Sequence, residues 1–165
     1  MRLYLVQHGD AVPEDLDPDR PLTPRGRADV SALAHFLRDA GVRPHRVLHS
    51  GKTRAAQTAQ LIDESLRSPG GVGAAKGLAP KDPVEPIARL AASWGTDTLL
   101  VGHLPFVARL ASYLLTGDSE EVSVGYKPGS AVCMERSEDG GWTLVWMLRP
   151  ELFADVGAAQ KKASS

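Results

Sequence analysis

The chain has 165 residues, a formal net charge of -1 and a single cysteine. One ordinary domain with a full core fits that length. Near-neutral charge gives no basic footprint for nucleic acid. One cysteine excludes an intramolecular disulfide and a Cys-cluster zinc site. No run of 18 apolar residues and no basic–apolar–small leader pattern is present, so the sequence points to a cytoplasmic protein.

The elements alternate strand and helix, the signature of a largely parallel sheet with helices on both faces. A strand over about residues 2–7 (Arg2 to Gln7) opens the chain and stops at His8-Gly9. A Pro- and Asp-rich loop from Ala11 to Pro21 follows. Thr23 then has N-cap chemistry, with Pro24 at the first helical position. Val30, Leu33, Ala34 and Leu37 fall at helical spacing, and Gly41 provides a C-terminal stop.

A second strand over about 46–49 leads through Ser50-Gly51 into a helix over about 52–66. The run from Ser68 to Gly77 contains Gly70, Gly71, Gly73 and Gly77 and reads as an internal surface loop. A helix over about 84–94 and a strand over about 97–102 come next, and the strand runs into His103-Leu104-Pro105. A helix from Pro105 buries Val107, Leu110, Ala111 and Leu114 on one face. Ser130 to Arg136 and Trp142 to Leu148 read as a hairpin around Glu138-Asp139-Gly140-Gly141. Cys133 lies within that apolar pattern, which suits a buried, inert thiol. The expected organisation is one domain over 1–150 and a C-terminal extension over 151–165, disordered from about Ala158 onward.

Three strand ends then carry compatible chemistry. In an open α/β sheet, ligands bind at the carboxyl ends of parallel strands. His8 and His103 are delivered there by separate strands, and Ser50, Lys52 and Arg54 sit where a helix begins. Free N–H groups and the positive dipole at a helix start favour an anion, and the Arg54 guanidinium can grip phosphate with two prongs. The set suits phosphoryl transfer, one imidazole acting as nucleophile and the other as charge or proton partner. The Ser50-Gly51-Lys52-Thr53 run lacks the upstream glycine of a nucleotide P-loop, and no Gly-x-Gly-x-x-Gly run occurs.

These motifs resemble the histidine phosphatase superfamily. Gln7-His8-Gly9-Asp10-Ala11, Pro21-Leu22-Thr23 with Gly26, Ser50 with Arg54-Ala55 and Gln57-Thr58, and Gly102-His103-Leu104-Pro105 appear in the family's order over roughly residues 1–150. The short SixA-type phosphohistidine phosphatases are the branch they are most similar to. The resemblance implies a three-layer, phosphoglycerate mutase-like α/β fold that needs no metal or cofactor. It implies His8 as the nucleophile, and Arg54 and His103 around the phosphate oxygens, with Gln7, Gly9 and Ser50 completing the pocket. The implied substrate is a histidine-phosphorylated protein, met by a monomer with no nucleic acid or membrane involved.

Two features keep alternatives open. The family motif begins Arg-His-Gly, whereas residue 7 here is glutamine. Loss of one donor at such a site costs roughly 2.7–4 kcal/mol, so a weakly catalytic or purely phosphate-binding domain is one alternative, with Lys52 among the groups able to compensate. The general acid is also unassigned, the candidates being Asp10, Glu14 and Asp15 in the first loop. A small-molecule phosphomonoesterase of the same fold is the other alternative.

Overall fold

A computed structural model describes residues 1–152. Its elements are β1 (Arg2–Gln7), α1 (Pro24–Asp39), β2 (Arg46–His49), α2 (Thr53–Leu66), β3 (Val72–Ala74), α3 (Glu85–Ser93), β4 (Thr98–Gly102), α4 (Phe106–Thr116), β5 (Ala131–Arg136) and β6 (Trp142–Leu148). The expected extension over 151–165 falls outside the described residues from 153 onward.

The six strands form one sheet in the order β3-β2-β4-β1-β5-β6. β1, β2, β3 and β4 are mutually parallel, and β5 pairs antiparallel with both β1 and β6. Two apolar layers flank this sheet because alternate strand residues face opposite ways. Tyr4, Val6, Val47, Leu99, Val101 and Cys133 meet α1 and α2 on one face. Leu3, Leu5, Leu100, Val132 and Met134 meet α3 and α4 on the other. The result is the helix–sheet–helix sandwich expected from the alternating pattern. Cys133 is fully buried.

One reading is corrected. The glycine-rich run is not loop throughout, since Val72–Ala74 forms an edge strand with Val47↔Val72, Leu48↔Gly73 and His49↔Ala74 in register. Such a strand is specified by backbone groups, and the flanking bonds Val47 N–H to Gly71 O (2.9 Å) and Ala75 N–H to His49 O (2.8 Å) extend it. With a glycine at its centre, the segment offers no side-chain periodicity from which to read it.

The fold positions the site through the divergence of β1 and β4. These strands are neighbours, yet the chain leaves β1 toward β2 by way of α1 and leaves β4 toward β5 by way of α4, on opposite faces. A crevice at the carboxyl ends follows from that reversal. Small residues let the helices close on it. A Cβ on Gly9 would stand 2.8 Å from Val30 Cγ2, one on Gly102 would stand 2.8 Å from Val107 Cγ1, and one on Gly26 would strike the Asp10 carbonyl oxygen.

Candidate active site

His8 extends β1, its N–H donating to the Gly102 carbonyl at 3.0 Å, and His103 follows β4. Their ring centroids are 4.9 Å apart. The two strand ends therefore bring together the imidazoles that the sequence places 95 positions apart.

The contacts of His8 define its tautomer. Nδ1 lies 2.7 Å from the Gly9 carbonyl oxygen, which only accepts, so Nδ1 carries the proton. Nε2 lies 3.2 Å from Arg54 Nε, which only donates, so Nε2 presents its lone pair. Burial lowers the His8 pKa from its ordinary value to about 4, with the Arg54 and Arg20 charges adding to the effect and the Gly9 bond and Asp10 opposing it. His8 is thus a neutral base at pH 7, its free electron pair covered by a guanidinium.

His103 is only 1% exposed. Nε2 sits 2.6 Å from Ser50 Oγ, while Nδ1 is buried without a partner among the described residues. Burial lowers its pKa to about 3, helped by His8 and by the charges of Arg54, Lys52 and Arg20. The pocket thus holds two uncharged imidazoles among cations. An arriving phosphate would reverse this balance by favouring the protonated ring.

Arg54 sits in the first turn of α2, whose N-terminus has no side-chain cap. It is almost entirely buried, and burial followed by the Arg20 charge lowers its pKa, against the pull of Glu14. Thr58, one turn along, ties the pieces together: its Oγ accepts from Gly9 N–H at 3.0 Å and donates to the Arg54 carbonyl at 2.7 Å. Gln7 is also buried, and its side-chain oxygen Oε1 has no partner among the described residues. Lys52 is exposed at the N-cap of α2.

The acid candidates are placed less favourably. Asp10 Oδ2 accepts from Thr23 Oγ1 at 2.8 Å, and Thr23 in turn caps α1 by accepting from Gly26 N–H at 2.9 Å. Glu14 and Asp15 are exposed in the loop, and Glu14 reaches the site only through its charge. None of the three hydrogen-bonds His8, Arg54 or His103.

Two contributors went unassigned in the sequence. Thr58 had a signal, since it lies four residues after Arg54 on one helix face. Arg20 had none, being a lone cation in an acidic loop with no periodicity. Its charge nevertheless acts on His8, Arg54 and His103 together. Among the described residues, no group of three or more His, Cys, Asp or Glu is arranged to hold a metal.

Comparison with known proteins bears on the family and the fold. A model of the Histidine phosphatase superfamily (branch 1) matches residues 3–74. Phosphohistidine phosphatase SixA of Escherichia coli (strain K12) is 26% identical over 155 residues, spanning 91% of this chain and 94% of that one. A solved structure of the protein histidine phosphatase SixA complexed with tungstate superposes with a TM-score of 0.84 at 26% identity, covering 92% of this chain and 99% of the other. A putative alpha-ribazole-5'-P phosphatase from Escherichia coli shares the fold, with a TM-score of 0.71 at 21% identity over 91% of this chain and 98% of its own.

Proposed function

We propose, from the premise that this chain belongs to the histidine phosphatase superfamily, that it is a phosphohistidine phosphatase acting on a histidine-phosphorylated protein. Residues 1–150 form its catalytic domain, and it works as a monomer in the cytoplasm. No helix among the described residues is long and apolar enough to cross a membrane. The observation that carries the reading is the state of His8, whose Nδ1–H is held by the Gly9 carbonyl and whose Nε2 pair points to Arg54, with His103 alongside.

The chemistry follows from that state. Arg54 leaves the His8 lone pair for the phosphoryl oxygens, and Nε2 attacks phosphorus. The new Nε2–P bond forms as the P–N bond of the substrate breaks, and those electrons stay on the departing imidazole nitrogen. The Gly9 carbonyl holds the Nδ1 proton on phosphorylated His8, so that ring later departs as neutral imidazole. Water then adds through oxygen to phosphorus, the Nε2–P electrons return to His8, and the extra proton leaves with solvent or phosphate. Transition-state charge sits on the equatorial oxygens, where Arg54, protonated His103 and the backbone N–H groups at the α2 start stabilise it. Gln7, Gly9 and Ser50 shape the pocket.

The acid candidates favour this substrate over a phosphomonoester. An alkoxide leaving group needs a proton from a general acid, worth ~10²–10⁴ in rate, and Asp10 is committed to Thr23. A phosphohistidine ring protonated on its distal nitrogen departs uncharged without that help. Rapid quench with a ³²P-labelled phosphohistidine protein tests the proposal. Acid-labile, alkali-stable label on His8 is expected, with turnover well above that on para-nitrophenyl phosphate. Turnover that never labels the enzyme would overturn it.

A further inference from the structure

His8 and His103 differ in the kind of group that holds them. His8 Nδ1 meets a carbonyl, which only accepts, so that nitrogen keeps its proton. His103 Nε2 meets a hydroxyl, which both donates and accepts. The backbone places Ser50 for this contact. β2 runs parallel to β4 with His49 opposite Val101, which brings Ser50 alongside the end of β4. Gly51, left-handed at φ 85°, turns the chain at once, and its N–H donates back to His49 Nδ1 at 3.1 Å. Ser50 is thus bracketed between a strand and a tight turn, with Oγ 2.6 Å from His103 Nε2.

Among the described residues, Ser50 is the single hydrogen-bond partner of the His103 ring. The charged groups that act on the ring are Arg54, Lys52 and Arg20, all cations, and none of them accepts a hydrogen bond. His8, the ring beside it, is neutral. The direction of the Ser50 bond follows from matching donors to acceptors. The Lys52 N–H donates to Oγ from 3.5 Å, so the oxygen already receives one hydrogen. With Oγ–H donating to Nε2, one group is left unmatched, the Nδ1–H. The reverse direction leaves two, the Nδ1 lone pair and the hydroxyl hydrogen. The neutral ring accordingly carries its proton on Nδ1. His103 is 1% exposed whereas Ser50 is half-buried, so Nε2 meets solvent protons by way of the hydroxyl.

We propose that Ser50 is the positioning residue of His103: its hydroxyl donates to Nε2 in the empty pocket, which leaves the ring proton on Nδ1, and it relays a further proton to Nε2 when a phosphoryl group arrives. In the relay, Oγ–H passes its proton to the Nε2 lone pair while Oγ takes one from solvent. The hydroxyl is regenerated and the ring gains one positive charge. Oγ then accepts from Nε2–H, and Nδ1–H is left for a phosphoryl oxygen. A carbonyl in place of Ser50 would hold only one of these two states. The inference rests on the phosphatase reading above for the identity of the anion, and it adds the route by which His103 becomes charged.

Imidazole ¹⁵N spectra of the full chain at neutral pH, with the His103 signals assigned from His103→Asn, test this together with tungstate binding by calorimetry. Without ligand, wild-type Nδ1 should carry the proton and Nε2 a lone pair. Saturating tungstate should leave both nitrogens protonated. Ser50→Ala removes the hydroxyl, so its empty pocket should show a mixture of the two tautomers, and tungstate affinity should fall about tenfold. Ser50→Thr keeps the hydroxyl and should restore both the single tautomer and the affinity, which a merely space-filling role would not require. Ligand-free wild-type protein with its His103 proton on Nε2, or folded Ser50→Ala with unchanged spectra and affinity, overturns the inference and leaves the phosphatase reading standing. The wild-type spectra decide the point even where a variant fails to fold. Wild-type protein that gives the expected spectra but never labels His8 in rapid quench overturns the reading, while Ser50 keeps its role toward a bound anion.

Discussion

The carboxyl ends of β1 and β4 each deliver a histidine, yet the two ends are built differently. At β1, both ring nitrogens of His8 are engaged, one by a carbonyl that holds its proton and one by a guanidinium that covers its lone pair. At β4, His103 is sealed from solvent, with one nitrogen on Ser50 and the other unpartnered. In the proposed reaction the first end is preset for attack in a fixed tautomer. The second is left incomplete until an anion arrives to make its protonation favourable. Two residues of one type, in similar sequence contexts, thus acquire different tasks from their hydrogen-bond partners alone.

The largest effect should come from the β1 end. His8→Ala removes the attacking atom, so phosphohistidine hydrolysis should drop on the order of 10⁴-fold or more, with no labelled enzyme in rapid quench. The fold should persist, because His8 is only partly buried and adds little to either apolar layer. Undiminished turnover in this variant would end the division of labour between the two strand ends.

His103→Ala should cost less, about 10²–10³-fold in rate, since it removes charge stabilisation but not the nucleophile. Slow appearance of label on His8 should remain detectable. If His103→Ala abolishes labelling as completely as His8→Ala, the β4 end does more than stabilise charge, and the contrast collapses.

The sequence made much of this contrast legible, and the limits are instructive. Strand ends are readable because apolar runs such as Leu3 to Val6 and Leu99 to Val101 stop abruptly at polar residues. The α1 stripe of Val30, Leu33, Ala34 and Leu37 is readable because burial imposes a period. The placement of His8, Arg54 and His103 around one crevice follows from those strand ends. β3 escaped because a short strand centred on Gly73 is held by backbone bonds, which leave no trace in side-chain type. The Ser50–His103 contact spans 53 positions, and its pairing depends on β2 lying beside β4. Asp10 looked free to act as an acid until Thr23 proved to be its partner. Arg20, whose charge lowers the pKa of His8, Arg54 and His103, was invisible because a loop has no period.

Acid should expose the shared cost of keeping both rings neutral. Burial lowers the folded-state pKa of His8 to about 4 and of His103 to about 3, below the ordinary 6.5 expected when unfolded. Between those limits the unfolded chain binds more protons than the native one, so stability rises with pH and is lost as pH falls from about 6.5. Each histidine should remove about 2 kcal/mol between about pH 7.5 and pH 5. Urea titrations at the two pH values should show the loss, and His8→Gln should lessen it by one histidine's share. An equal pH dependence in that variant would mean that His8 is not held neutral.

Gln7→Arg should give the smallest change and the most specific one. The variant puts a guanidinium at the end of β1, beside the anion site that Arg54 serves in the proposed function. One added charge-assisted bond to a phosphate oxygen is worth roughly 1.4 kcal/mol, about a tenfold gain in tungstate affinity. The buried, unpartnered Gln7 Oε1 supports a gain, because the substitution also removes an unsatisfied acceptor. Repulsion from neighbouring guanidinium groups opposes it and is strongest in the empty pocket, so the variant should lose stability without ligand and recover it with tungstate. Added salt should shrink the affinity gain if the anion remains open to solvent. Weaker tungstate binding in a folded Gln7→Arg variant would show that the pocket was rebuilt around glutamine.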